Sequence, residues 1–125
     1  MKSWLRSLVT RAYQTAHGAQ DVPEITIEDL KRLLDDKEEV YLLAVREAYE
    51  HDRAHIQGDH LIPLMQLPER AKDIDKSKTV VAYCDVGGRS ARAAKFLRKS
   101  GFESVLNLAG GIVAWAEKID PDLDL

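Results

Sequence analysis

Five short apolar segments alternate along the chain with longer amphipathic stretches. They centre on Ile25, Val40, Leu61, Val80 and Val105. Short, β-branched and apolar runs are typical of strands that are buried on both faces of a parallel sheet. Because helical patterns separate these strands, we predict an α/β fold: a doubly wound, mostly parallel five-stranded sheet with helices on both faces.

The chain divides into three parts by its composition. Residues 1–22 are predicted to form a basic amphipathic helix and a linker, and residues 23–120 a single domain. Residues 121–125 form an acidic tail that we expect to be loose. A chain of 125 residues with 45% hydrophobic content is long enough to bury one core.

The N-terminal part combines basic charge with apolar residues at helical spacing. Lys2, Arg6 and Arg11 supply the charge, and no acidic residue occurs among the first 20. Three interpretations stay open: a helix packed on the domain or on a second copy, a helix that contacts a membrane surface or serves in targeting, and a disordered tail. Gly18 and Pro23 mark the linker that follows.

Charge and cysteine content narrow the setting. A formal net charge of −3 gives no reason to expect a nucleic acid as a partner. The single cysteine cannot form an internal disulfide, so we expect a reducing compartment and a cytoplasmic protein. No uninterrupted apolar run is long enough to span a membrane.

The candidate chemistry lies in one loop, residues 84–90, between an apolar strand and an amphipathic helix. This order places Cys84 at the carboxyl end of a strand, where open α/β sheets bind their ligands. We expect Gly87 and Gly88 to adopt positive φ and to turn consecutive N–H groups inward, and Ser90 suits the N-cap of the helix. Such a loop is a cradle for an anion.

A cysteine in this cradle would be reactive. An ordinary thiol with a pKa of ~8.5 is only about 3% ionised at pH 7, whereas a depression of roughly two units makes it about three quarters ionised. Arg89 adds a permanent cation for an incoming oxyanion. Asp85 would oppose a thiolate, so we expect its side chain to point outward. We therefore predict Cys84 as the catalytic residue, and as substrate-binding residues Asp85, Val86, Gly87, Gly88, Arg89 and Ser90.

These residues, with four further motifs in the same order, resemble the single-domain rhodaneses, which are sulfurtransferases. The further motifs are Val45-Arg46-Glu47, His55-Ile56-Gln57-Gly58 leading to Ile62-Pro63-Leu64, Gly101-Phe102, and Leu108-Ala109-Gly110-Gly111 followed by Trp115. Within the family, the chain is most similar to the rhodanese modules of enzymes that activate small sulfur-carrier proteins.

The resemblance implies a specific chemistry for Cys84. The thiol would take a sulfane sulfur from thiosulfate or a persulfide donor, hold it as a persulfide, and pass it to a thiophilic acceptor or a sulfur-carrier protein, without a cofactor. Two departures weaken the match: Ala44 replaces an acidic residue of the family, and Asp85 replaces a basic or polar one. Because Asp85 is negative, thiosulfate would bind less well than a neutral or protein-borne persulfide.

Other functions and sites compete with this one. A non-catalytic rhodanese-fold module that binds a protein partner is the main alternative. A cysteine phosphatase or arsenate reductase would need an oxyanion to fit a Cys-x4-Arg loop that is one residue shorter than theirs. His51, His55 and His60 match no common zinc spacing, so we predict no metal site. For Arg46 and Glu47 we favour a structural role over a place at the pocket mouth.

Overall fold

The structure is a computed structural model that describes residues 3–16 and 22–125. The proposed linker residue Gly18 and the basic residue Lys2 lie outside the described residues. The strands are β1 Glu24–Ile25, β2 Val40–Ala44, β3 His60–Leu61, β4 Thr79–Tyr83 and β5 Val105–Leu108. The α-helices are α1 Ser3–Thr15, α2 Ile27–Asp35, α3 Ala48–Arg53, α4 Leu67–Arg70, α5 Gly88–Lys99 and α6 Gly111–Lys118, and 3-10 turns occupy Leu64–Gln66 and Ala71–Asp73.

The five strands form one sheet in the order β1-β5-β4-β2-β3, and every pairing is parallel. The predicted fold class is confirmed. Strand β4 lies at the centre, where Val81 pairs with Leu42 on one side and with Leu106 on the other. All five of its residues are buried, which agrees with their apolar or β-branched character.

Side chains of β4 alternate between two separate cores, as the period of a strand requires. Val81 and Tyr83 belong to the core beneath α1, α2 and α6. Val80 and Ala82 belong to the core beneath α5, and Cys84 continues the same alternation into that core. The cysteine therefore sits at the point where the central strand ends against the next helix.

Helix α1 packs its apolar face on the domain. Leu5 and Leu8 are buried in the first of the two cores. The guanidinium of Arg32 stacks 4.0 Å from the centroid of the Trp4 ring, and the hydroxyl of Tyr13 accepts a hydrogen bond of 2.8 Å from the amide of Val105. This is the first of the three arrangements considered for the N-terminal part. No helix among residues 3–16 and 22–125 combines the length and the apolar character that crossing a membrane requires.

Candidate active site

The loop turns at Gly87, and helix α5 begins directly after it. Gly87 has φ +117° and is the N-cap of α5, whereas Gly88 is the first residue of the helix and does not have a positive φ. The expected N-cap role of Ser90 is wrong, since Ser90 lies within the first turn and is fully buried. One glycine suffices to reverse the chain, so the helix starts earlier than the sequence pattern indicated.

The sulfur of Cys84 accepts hydrogen bonds from the backbone of this turn. The amide of Gly87 lies 3.2 Å from Sγ and the amide of Ser90 3.4 Å from it. The Cys84 side chain is only 2% exposed. Burial raises the pKa of the Cys84 thiol, but hydrogen bonds from the Ser90 side chain and from the amides of Ser90, Gly87 and Arg89 outweigh it, so the pKa lies below its ordinary value.

The hydroxyl of Ser90 has a second hydrogen-bond partner, which limits how often it can donate to the sulfur of Cys84. Ser90 Oγ lies 3.3 Å from Cys84 Sγ, but it donates at 2.6 Å to Oδ1 of Asn107. A hydroxyl has one proton, so it reaches the sulfur only when it turns away from Asn107. Asn107 in turn donates through Nδ2 to the carbonyl of Gly87 at 3.2 Å. The backbone amides of Gly87 and Ser90 are thus the fixed donors to the sulfur. Asn107 holds this turn through the carbonyl of Gly87 and the hydroxyl of Ser90.

Helix α6 holds the other side of the loop. The amide of Ile112 donates to the carbonyl of Cys84 at 2.9 Å, and the amide of Val113 donates to the carbonyl of Asp85 at 3.1 Å. Gly111 has φ +59°, and a Cβ at this position would overlap both carbonyl groups. With these carbonyls bound to α6, the loop is fixed with its following amides directed at the sulfur.

The charged residues of the loop are neutralised by partners. Arg89 donates to both carboxylate oxygens of Glu50, at 2.7 and 3.0 Å. Asp85 accepts a hydrogen bond of 2.8 Å from Nε of Arg46, and its carboxylate also lies 3.4 Å from Arg89. The Asp85 side chain is 44% exposed, so its charge is both paired and hydrated rather than set against the sulfur alone. The hydrogen bonds from Arg89 lower the pKa of Glu50 to about 2.

Arg46 connects α3 to the loop. It is 6% exposed and donates to the carbonyls of Glu50 and Ala54 at 3.1 and 2.5 Å, in addition to its bond with Asp85. These contacts hold the loop against α3, and Arg46 also lines a pocket beside the loop, so the structure agrees with parts of both roles. The neighbouring Ala44 is fully buried at the end of β2, so a buried acidic side chain is absent from this position.

A second polar network lies behind this one. Tyr83 donates to Asp59 at 2.5 Å and accepts from the amide of Ile56 at 3.1 Å. His51 Nε2 lies 3.0 Å from both oxygens of Asp59. Burial, followed by the bond to Asp59, raises the pKa of Tyr83. The network fixes the chain between α3 and β3.

Two of the three histidines considered for a metal come together here, with Asp59 rather than His60. Nitrogen or oxygen atoms of His51, His55 and Asp59 lie within 4.8 Å of one another. The rings of His51 and His55 stack with centroids 4.2 Å apart and planes 11° apart. His60 stacks instead on Tyr41, with centroids 4.3 Å apart.

Sequence reasoning located Cys84 and the turn but missed two residues that hold them, Glu50 and Asn107, and it named Gly111 only as part of a motif, without its contact to the loop. All three contribute the contacts described above, and each is distant from the loop in sequence. Asn107 had a visible signal, since it is a polar residue within the otherwise apolar segment 105–108. Glu50 had none, because its helix is rich in charge and its partner Arg89 lies 39 positions away.

Comparison with known proteins identifies relatives over most of the chain. The family model described as "Rhodanese-like domain" matches residues 26–118. A protein of Allochromatium vinosum named "Sulfurtransferase" is 40% identical over 95 residues, which cover 76% of this chain and 89% of that protein.

Two further relatives are longer than this chain. YrkF of Bacillus subtilis, provisionally named a sulfur carrier protein, is 34% identical over 106 residues, which cover 85% of this chain and 57% of that protein. MoeZ of Mycobacterium tuberculosis, provisionally named an adenylyltransferase/sulfurtransferase, is 39% identical over 114 residues, which cover 90% of this chain and 28% of that protein.

Solved structures agree with these sequence relatives. The crystal structure of a rhodanese-like domain protein from Staphylococcus aureus matches with a TM-score of 0.71 at 28% identity. The match covers 82% of this chain and 96% of the Staphylococcus aureus chain. The resemblance inferred from the motifs is therefore confirmed.

Proposed function

The chain belongs to the rhodanese-like domain family, and from that premise we propose that it is a sulfurtransferase in which Cys84 carries the transferred sulfur as a persulfide. The observation that supports this most directly is the pair of amide hydrogen bonds to Cys84 Sγ from Gly87 and Ser90. Two charge-assisted N–H···S⁻ bonds favour the thiolate over the thiol. The thiolate is the form that attacks a sulfane sulfur.

The proposed reaction needs no separate base. The Cys84 thiolate attacks the sulfane sulfur of the donor, a new S–S bond forms at Sγ, and the donor's own S–S bond breaks with its electron pair leaving on the donor fragment. An acceptor nucleophile then attacks the outer sulfur of the persulfide, and Cys84 leaves as a thiolate. The amides of Gly87 and Ser90 would stabilise that leaving group as they stabilise the nucleophile.

A protein is a suitable donor or acceptor for this site. Val86 within the loop is 68% exposed, and Tyr49 on the neighbouring α3 is 76% exposed. Exposed apolar side chains beside a reactive group favour contact with a partner protein. The names of two relatives, one for sulfur carriage and one for adenylyl and sulfur transfer, agree with a small sulfur-carrier protein as the acceptor.

Mass spectrometry tests the proposal directly. We expect incubation with a persulfide donor to add about 32 Da to the intact protein, the mass of one sulfur atom, and a thiol reductant to remove it. Cys84→Ser should abolish the gain and the transfer of sulfur to cyanide. Because Cys84 is the only cysteine in the sequence, any sulfur that survives this substitution would lie elsewhere and contradict the proposal.

The pH dependence of alkylation separates the enzyme from a binding module. We expect Cys84 to react with iodoacetamide with an apparent pKa below ~8.5, as the amide hydrogen bonds require. An apparent pKa above that value, together with an unchanged mass after exposure to donors, would favour a rhodanese-fold module that binds a partner without catalysis.

A further inference from the structure

The guanidinium of Arg89, which the loop would offer to an anionic substrate, is already paired with the carboxylate of Glu50. Arg89 presents Nη1 and Nη2 to the two oxygens of Glu50 in a bidentate pair, at 2.7 and 3.0 Å. The Glu50 side chain is 16% exposed and that of Arg89 29%. A partly buried, bidentate pair of this kind is stronger than a surface ion pair and leaves little of the guanidinium charge for a third group.

The neighbouring charged side chains do not replace the positive charge that Arg89 loses to Glu50. Arg46 is bound to Asp85, whose carboxylate also lies within 3.4 Å of Arg89. A pocket of about 230 Å³ beside the loop is lined by Glu50, Asp85 and Asp124 as well as by Arg46 and Arg53. The three carboxylates match the three guanidinium groups of Arg46, Arg53 and Arg89, so these six side chains beside the loop carry no surplus of positive charge.

This balance affects two classes of sulfur donor differently. Thiosulfate is a dianion, and it must approach a cysteine that is itself ionised. A thiol persulfide carries at most one negative charge on its outer sulfur, and none when it is protonated, so it meets less repulsion than the thiosulfate dianion. Since Coulomb energies scale with the product of the charges, the pairing of Arg89 penalises thiosulfate most.

We propose that Glu50 is a specificity-determining residue that, by pairing with Arg89, makes Cys84 select thiol persulfides over thiosulfate as sulfur donors. The proposal rests on the sulfurtransferase function proposed above. Glu50 acts through Arg89, so it is a positioning residue and not a catalytic one. Asp85 supports it as the second carboxylate near the same guanidinium.

Both donor reactions balance with the groups already named. With a persulfide, Cys–S⁻ and R–S–SH give Cys–S–SH and R–S⁻. With thiosulfate, Cys–S⁻ and S–SO₃²⁻ give Cys–S–S⁻ and SO₃²⁻. No oxidant or reductant is consumed in either case, so the two donors can be compared on the same protein under the same conditions.

The test measures the rate at which each donor adds sulfur to Cys84, using cysteine persulfide and thiosulfate as probes. The wild-type protein should favour cysteine persulfide, and Glu50→Gln should raise the ratio of the thiosulfate rate to the persulfide rate about tenfold, because one opposing charge is removed and Arg89 becomes available. The gain should shrink as the salt concentration rises, which a merely structural effect of the substitution would not do.

Asp52→Asn is the matched control. Asp52 is exposed on the same helix and forms no ion pair with any of the residues that the structure describes. The substitution removes the same charge, and the donor ratio should stay within about twofold of wild type. If Glu50→Gln does not fold, Asp85→Asn should raise the ratio in the same direction. Combining Glu50→Gln with Arg89→Gln should abolish the gain.

The outcomes distinguish a failure of this inference from a failure of the proposed sulfurtransferase function. A wild-type protein that accepts sulfur equally from both donors, or a Glu50→Gln ratio no larger than that of Asp52→Asn, would overturn the role of Glu50 and leave sulfur transfer intact. Failure of both donors to add sulfur to wild-type Cys84 would overturn the proposed function itself, and the inference with it.

Discussion

Gly111 allows helix α6 to approach the loop closely enough to bind it, and replacing Gly111 with alanine tests whether this contact fixes the position of the loop. Gly111 has φ +59°, and its missing side chain leaves room for the carbonyls of Cys84 and Asp85. An alanine Cβ would overlap both groups. Either α6 moves away or the loop does, and both movements separate the amides of Ile112 and Val113 from the carbonyls that they bind.

The magnitude follows from these contacts. A non-glycine residue in the left-handed region costs roughly 1 to 2 kcal/mol. Each of the two broken hydrogen bonds contributes about 1 kcal/mol, and the buried carbonyls left without partners add to the loss. We expect Gly111→Ala to lower the free energy of unfolding by about 3 to 5 kcal/mol.

Gly58→Ala is the control because it separates backbone strain from overlap. Gly58 has φ +88°, but a Cβ there would meet no atom within 4 Å. We expect this variant to lose only the strain, roughly 1 to 2 kcal/mol, in urea unfolding. The alkylation profile is the second assay: the apparent pKa of Cys84 should rise towards its ordinary value in Gly111→Ala and stay unchanged in Gly58→Ala.

The reasoning is refuted if the two alanine variants unfold at the same urea concentration and share one Cys84 pKa. Such a result would mean that the loop keeps its shape without the amides of α6, and that the hydrogen bonds to the Cys84 and Asp85 carbonyls do not determine where the sulfur lies.

Two further substitutions test the charge pair and the polar network. The folded-state pKa of Glu50 is about 2 against an ordinary 4.5, so its contribution is present above pH 4.5 and is lost as the pH falls towards 2. Glu50→Gln should therefore cost about 2 to 3 kcal/mol of unfolding free energy at pH 7 and progressively less between pH 4.5 and pH 2. Tyr83→Phe should cost about 2 to 3 kcal/mol in urea unfolding, because it leaves the buried carboxylate of Asp59 and the amide of Ile56 without their shared hydroxyl.

Each of these two predictions has a control on the same chain. Asp52→Asn removes an exposed carboxylate from the helix of Glu50, and a pH-dependent loss equal to that of Glu50→Gln would contradict the assigned pair. Tyr41→Phe removes a hydroxyl that forms no hydrogen bond among residues 3–16 and 22–125. If it destabilises the protein as much as Tyr83→Phe does, the network around Asp59 is not the cause.

The strands were visible in the sequence because burial on both faces leaves a local mark. Residues 79–83 are all apolar or β-branched, and all five are buried at the centre of the sheet. The loop was visible too, because Cys84 directly follows that strand and Gly87 comes soon after it, before an amphipathic stretch. The N-cap of α5 was misjudged because Ser90 has a good capping side chain, whereas the chain had already turned at Gly87.

The contacts that complete the site were not visible, because they join residues distant in sequence. Arg89 and Glu50 pair across 39 positions, and Ser90 and Asn107 across 17. A local pattern of charge does not specify which carboxylate meets which guanidinium, since Glu50 and Asp52 on α3 were equally good candidates. These partners meet because β2, β4 and β5 are parallel neighbours, which places the carboxyl ends of the three strands side by side.

The amides that bind the Cys84 sulfur belong to the main chain, and this matters for protein engineering. A side chain in the middle of the turn can be exchanged without removing either N–H group. Val86 projects into solvent directly before the first of the two donors in sequence, so a library randomised at this one codon would vary what docks at the reactive sulfur while its ionisation is retained. Nucleophile and recognition surface can thus be redesigned separately within a span of seven residues.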